Sequence, residues 1–180
     1  MEIIVHKHFI LFILLSLQLS ATQYDSIVMA IEAKLFPKIA LLEQHIKNDP
    51  SNILKISIVA KELDLDDASA FKDKIMSNYP NKLGNKQLHV RLDTFETIQK
   101  QSVDMIIVLS NNNEELENIA SWANQNHIVS FAYDSGHMKY GFLASIYIGK
   151  STKPYINKNV MLKYYFIFDS YLLQLSKIYH

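Results

Sequence analysis

The run "VDMIIVLS" at residues 103–110 constrains this chain more than any other stretch. Successive side chains of a strand point to opposite faces, so a strand that is apolar at consecutive positions must be covered on both sides. Its neighbours repeat one rhythm. "ILKISIV" (53–59) reads as a buried strand, and "LDDASAFKDKIMSNY" (65–79) as a helix with Ala68, Phe71 and Ile75 facing inward. "KQLHVRL" (86–92) is a second strand, polar on one face. After the 103–110 strand, "NNEELENIASWANQN" (112–126) is a helix with Leu116, Ile119, Ala120 and Ala123 in register, and "HIVSFAY" (127–133) is the fourth strand. Strand–helix–strand repetition at this spacing predicts a single α/β domain, a mostly parallel open sheet with helices on both faces.

Both ends depart from the rhythm. From Tyr24 to Lys47 the residues Val28, Ile31, Leu35, Ile39, Leu42 and Ile46 recur at steps of three and four, the stripe of an amphipathic helix. Pro37 predicts a kink or two short helices. Ile27, Phe36 and Leu41 lie off that stripe, which makes a homodimer a candidate assembly. At the other end, residues 130–157 hold three of the four glycines and four of the ten tyrosines. "GFLASIYIGK" (141–150) alternates, and "KPYIN" (153–157) extends the edge with no helix between. The tail "YYFIFDSYLLQLSKIY" predicts a short extended piece and then a helix capped by Asp169 or Ser170. The C-terminal edge of the sheet is therefore expected to be irregular.

Residues 1–21 read as a cleaved signal peptide: Lys7, an apolar run from Phe9 to Leu19, then Ala21. A run this short suits a secretory leader better than a membrane span, which needs about 20 residues. The domain proper is then 22–180, exported to the periplasm across the inner membrane.

Charge and composition exclude several classes. With 18 basic and 18 acidic residues the chain has no basic field to gather nucleic acid. Without cysteine it has no disulfide, thiolate nucleophile or cysteine-ligated metal. The acidic run Glu62, Asp64, Asp66, Asp67 fails as a calcium loop, because Ala68, Ser69 and Ile75 stand where an oxygen ligand, glycine and glutamate belong. Those carboxylates read as caps of the following helix and complements of its dipole. His45, His89, His127, His137 and His180 share no close spacing, so no metal site is expected. Nucleophile-elbow and phosphate-loop motifs are missing as well, so neither a catalytic residue nor a cofactor is expected, and the chain reads as no enzyme.

Binding remains. In an open parallel sheet, ligands meet the loops at the C-terminal ends of the strands. Here those are Ala60–Lys61–Glu62, the segment Ser110–Asn111–Asn112–Asn113, and the loop beginning Tyr133–Asp134. Ser110, Asn111, Asn112 and Asp134 are the candidate ligand-binding residues. The asparagine triplet also reads as plain helix capping, and "DSG" as ordinary turn chemistry. Tyr133, His137, Met138 and Tyr140 have the composition of a protein interface and are the candidate partner-binding residues.

The segment from Val103 to Tyr179 resembles the second half of the YfiR family of periplasmic proteins. The resemblance is carried by Ser110 ending a strand, Gly141 after the next strand and loop, the pair Ile156–Asn157, and the final helix with Leu172, Leu173 and Leu175. It implies an exported, non-enzymatic regulator that binds the periplasmic part of a membrane-anchored signalling protein such as a diguanylate cyclase, represses it and lowers cyclic di-GMP. The disulfide-based redox sensing of some members has no counterpart in a chain without cysteine. Asn157 reads as a helix cap. The alternative is a periplasmic small-molecule-binding module resembling half of a solute-binding protein.

Export makes a direct prediction. The chain purified from its native host should begin at Thr22 by intact mass; a chain carrying Met1 in the membrane fraction would overturn the leader reading.

Overall fold

The computed structural model describes residues 24–180, and the expected signal peptide lies outside them. The protein is an α/β domain built on one seven-stranded sheet. In chain order the elements are α1 (Ser26–Ala40), α2 (Gln44–Asn48), β1 (Ile53–Ala60), α3 (Leu65–Asn78), β2 (Gln87–Asp93), β3 (Met105–Leu109), α4 (Asn113–Gln125), β4 (Val129–Ala132), β5 (Ala144–Ile148), β6 (Thr152–Asn157), α5 (Lys158–Lys163), α6 (Ser170–Leu175) and β7 (Lys177–Tyr179). The strand order is β2-β1-β3-β4-β5-β6-β7. The first five are mutually parallel, β6 runs antiparallel to β5, and β7 is parallel to β6.

β3 shows why the helices take both faces. All five of its residues are buried. Met105, Ile107 and Leu109 face one apolar cluster, shared with Ala33 and Phe36 of α1 and Phe71 and Ile75 of α3. Ile106 and Val108 face a second, shared with Leu116, Ile119, Ala120 and Ala123 of α4.

The sheet thins between β4 and β5, whose ladder registers only Phe131 with Ala144. Two buried serines complete it. Ser130 Oγ accepts the Leu143 N–H at 3.0 Å, and Ser145 Oγ donates to the Ala132 carbonyl at 2.9 Å. A hydroxyl that supplies the missing ladder bond lets the chain turn out at Gly141, whose φ of +93° is a conformation that glycine adopts without strain.

Three features differ from the sequence reading. α1 runs unbroken through Pro37 to Ala40, and the chain bends only at Leu41–Leu42 before α2. Its buried face is Met29, Glu32, Ala33, Phe36, Pro37, Ile39 and Ala40; of the expected stripe Ile39 and Ile46 are buried, while Val28, Ile31, Leu35 and Leu42 are only part-buried. Ala33 and Ala40 are fully buried on that face. Phe36 is thus wholly interior, its ring 4.4 Å from Phe131 and 6.3 Å from Phe71, which removes it from the argument for a homodimer.

The C-terminal edge breaks the parallel rhythm as expected, with β6 antiparallel to β5, and the third difference is the three-residue β7 that closes it. Tyrosines pair across it: Tyr147 with Tyr155 at 6.0 Å and Tyr155 with Tyr179 at 5.6 Å, with the Lys177 ammonium 3.5 Å from the Tyr147 ring centre. Cross-strand aromatic pairs of this kind hold an edge together. Asn157 caps α5 as expected, its side-chain oxygen accepting the Val160 N–H at 3.1 Å. Among the described residues no helix is long and apolar enough to cross a membrane.

Phe36→Ala should cost about 3–5 kcal/mol in chemical denaturation. Ile27→Ala, at a side chain 71% exposed on the same helix, should stay within about 0.5 kcal/mol. Equal losses would mean that α1 does not dock through Phe36.

Candidate functional site

A cleft of about 420 Å³ opens at the C-terminal ends of β3, β4 and β5, a volume suited to a small ligand. Asn111 follows β3, Tyr133, Asp134 and Ser135 follow β4, and Ile146 and Ile148 come from the end of β5. Tyr24, Asp25, Val28 and Glu32, at the start of α1, close the other side.

The cleft sits to one side of the place that topology favours. Strand order reverses between β1 and β3, where a crevice would ordinarily form. There Lys61, after β1, reaches Glu115 of α4 at 3.1 Å, and the Ser110 hydroxyl meets the same carboxylate at 3.4 Å. These groups bridge the two loops, and the open space lies beyond them under α1.

Glu32 is the unusual group. Its side chain is fully buried, and neither carboxylate oxygen has a hydrogen-bond partner in the protein. A buried acid without donors is strained as an anion. Burial, and then the nearby Asp134 charge, push its pKa up to about 10, so the carboxyl is protonated at neutral pH. The Tyr24 hydroxyl is likewise buried and unpartnered, and burial first, then Asp64 and Asp67, raise its pKa. Tyr24 and Tyr133 pack edge to face at 4.8 Å, and the Tyr133 hydroxyl donates to the Asp25 carbonyl at 3.1 Å. Asp25 itself caps α1, accepting from the Ile27 and Val28 N–H groups. Among the described residues, no lysine, arginine or histidine lines the cleft.

The expected ligand residues divide. Asn111 and Asp134 line the cleft. Asn112 is the cap of α4, accepting from the Glu114 and Glu115 N–H groups, so the capping reading of the triplet is the one observed. Ser110 is buried and accepts the Asn112 N–H.

The expected partner residues divide too. Tyr133 belongs to the cleft. Met138 is a correction: it is fully buried in the cluster beneath α4 and offers nothing to a partner. The turn 135–140 folds back as a 3-10 helix, and its one long apolar side chain takes the core position. His137 is mostly covered, 3.9 Å from Asp134 and 5.8 Å from the Tyr140 ring; burial first, and then Lys139, lower its pKa. Tyr140 is part-buried against the same cluster.

Sequence reasoning missed Tyr24, Asp25 and Glu32. One signal was available: Glu32 is the lone acid on the Met29–Ala33–Phe36–Ala40 face. It was hidden because a different stripe looked more apolar.

The topology is that of a doubly wound α/β domain. No protein-family model matches the chain, and no curated protein is recognisably similar to it. Among solved structures it is similar to a conserved domain protein from Vibrio cholerae O1 biovar El Tor, with TM-score 0.51 and 14% identity over 75% of this chain. It is also similar to an ABC domain in complex with L-Trp from Streptococcus pneumonia, with TM-score 0.50 and 13% identity over 78% of this chain. The chain spans 57% and 60% of their lengths. At such identity the likeness concerns the fold alone.

The Glu32 proton has a consequence for stability. The native state retains it while the unfolded chain releases it above about pH 4.5, so rising pH favours unfolding by up to about 1.4 kcal/mol per pH unit. Glu32→Gln keeps the shape and loses the titration. Its melting temperature should match the parent's near pH 4 and exceed it by a margin that widens toward pH 9. A margin independent of pH would mean that Glu32 ionises normally.

Proposed function

We propose that the protein is a non-enzymatic binding module that takes a small organic cation, an amine carried on an apolar or aromatic body, in the cleft under α1. The carrying observation is the set of unsatisfied polar atoms on residues that line that cleft: both Glu32 oxygens and the Tyr24 hydroxyl. Buried polar atoms without partners are rare in native proteins, and a bound donor would satisfy them. Asp25, Glu32 and Asp134 supply carboxyl groups with no cationic side chain among the lining residues, and Tyr24 and Tyr133 offer aromatic surface to an ammonium ion.

The structurally similar ABC domain was solved with an amino acid, which supports a ligand at this kind of fold. The acidity of the present cleft argues for an amine without a carboxylate. On binding, the ammonium would displace the Glu32 proton, since the resulting carboxylate then has a partner.

A second reading keeps the regulator implied by resemblance to the YfiR family, an exported chain that represses a membrane-anchored signalling protein. One observation favours it. Leu162, Tyr165, Ile167, Tyr171 and Leu175 remain between 48% and 78% exposed within fourteen residues of chain, the kind of surface that protein partners cover. The contact would then lie on α5 and α6 instead of the loop after β4.

Thermal shift with tyramine, putrescine and choline, against L-tryptophan as the zwitterionic control, tests the first reading. An amine at 100-fold excess over its Kd should raise the melting temperature by roughly 5–10 °C. The heat of binding should vary with the ionisation enthalpy of the buffer, as proton release requires, and Glu32→Ala should lose the shift. A shift with L-tryptophan alone, or none with any amine, would overturn the proposal. Crosslinking to a membrane protein that Tyr171→Asp abolishes, with no amine effect, would carry the second reading instead.

A further inference from the structure

Three side chains far apart in sequence converge at the opposite end of α1 from the cleft. Glu43 lies in the turn between α1 and α2, His45 in α2, and His127 between α4 and β4. His45 Nδ1 stands 2.9 Å from Glu43 Oε1 and 3.0 Å from His127 Nε2, and all three ligand atoms lie within 4.8 Å of one another. We infer that Glu43, His45 and His127 form a site for a divalent first-row transition metal, zinc above all, with one coordination position left open.

The donor set fits. Two imidazole nitrogens and one carboxylate oxygen are the ligands of three-residue zinc sites, which bind at about 2.0–2.2 Å. Tetrahedral geometry at those lengths sets the donors about 3.3 Å apart, so a metal asks the two contacts of His45 to open by a few tenths of an ångström, and Glu43 and His127, within 4.8 Å, to settle at that separation.

Each ligand is also held from behind. Glu43 is buried, and its Oε2 accepts the N–H groups of His45 at 2.8 Å and Ile46 at 3.2 Å. Its Oε1 accepts the Ile167 N–H at 3.3 Å and keeps a lone pair toward the histidines. Backbone donors that orient a ligating carboxylate are the usual outer shell of a metal site. The His127 ring stacks on Phe166 at 4.4 Å and 20°, which sets its plane.

His127 is also one of two described non-glycine residues with positive φ, at +58°. It ends α4, with the Ile128 N–H returning to the Ala123 carbonyl, a place where glycine or asparagine ordinarily stands. A histidine there accepts a conformational cost that its ring position explains. The metal would tie together the α1–α2 turn, the α4–β4 turn and the segment around Phe166, none of which depends on the cleft or on the reading given to it.

The test uses the untagged chain stripped with chelator and titrated with zinc chloride and cobalt chloride. One zinc should bind per chain, raise the melting temperature by several degrees and lose that effect on adding chelator. Cobalt should give the visible absorption of a four-coordinate ion. His127→Asn keeps a residue that tolerates positive φ, and with His45→Ala it should weaken zinc binding by more than about 100-fold, beyond the loss of an outer-shell partner. Glu43→Gln also disturbs the cap of α2, so the two histidine variants decide. No heat with either metal, or zinc affinity unchanged in both variants, would overturn the site.

Discussion

The packing of Phe36 against Phe131 and Phe71 is the contact on which the rest of the molecule depends. It fixes α1 across the sheet through a ring with no exposed surface. One helical turn before it, Glu32 is carried over the strand ends; seven residues after it, Glu43 is brought beside the start of β4. With a rise of about 1.5 Å per residue, α1 and its turn separate the two carboxyl groups by roughly 15 Å. The helix thus acts as a beam that carries one buried acid near its middle and places another just past its C-terminal end, and both are held where an unpartnered charge would be costly.

The two acids are treated differently. Glu43 has donors on both oxygens, two from the α2 backbone on Oε2 and the Ile167 N–H with the His45 ring on Oε1. Glu32 has none and keeps its proton. The difference lies in the surroundings: backbone N–H groups at the start of α2 reach Glu43, and no donor among the described residues reaches Glu32. Amine recognition would exploit the second environment and metal ligation the first.

The layered core was open to reading from the chain. β3 is apolar at every position, so helices had to cover both faces, and the amphipathic patterns of α3 and α4 supplied Phe71, Ile75, Leu116 and Ile119 at the positions observed. The caps were legible for the same local reason: Asn112 and Asn157 hold N–H groups two or three residues ahead of them. β7 was missed because a three-residue strand gains its identity from pairing with β6, and pairing is not a property of the segment itself. Met138 was misjudged because a short turn hides which of its side chains points inward.

What the sequence by itself determined is therefore what periodicity and local hydrogen bonding control: the α/β class, the parallel run of buried strands, and the ends of helices. What only the tertiary structure decided is which distant residues meet. The face of α1 that is buried follows from the docking of Phe36 between Phe131 and Phe71, and that choice places Glu32 in the lining of the cleft. His45 and His127, 82 residues apart, stand at hydrogen-bond distance because α2 and the α4–β4 turn pack at the same end of the sheet. No spacing along the chain encodes such a meeting, since it is produced by the closure of loops around a core whose geometry only the folded molecule possesses.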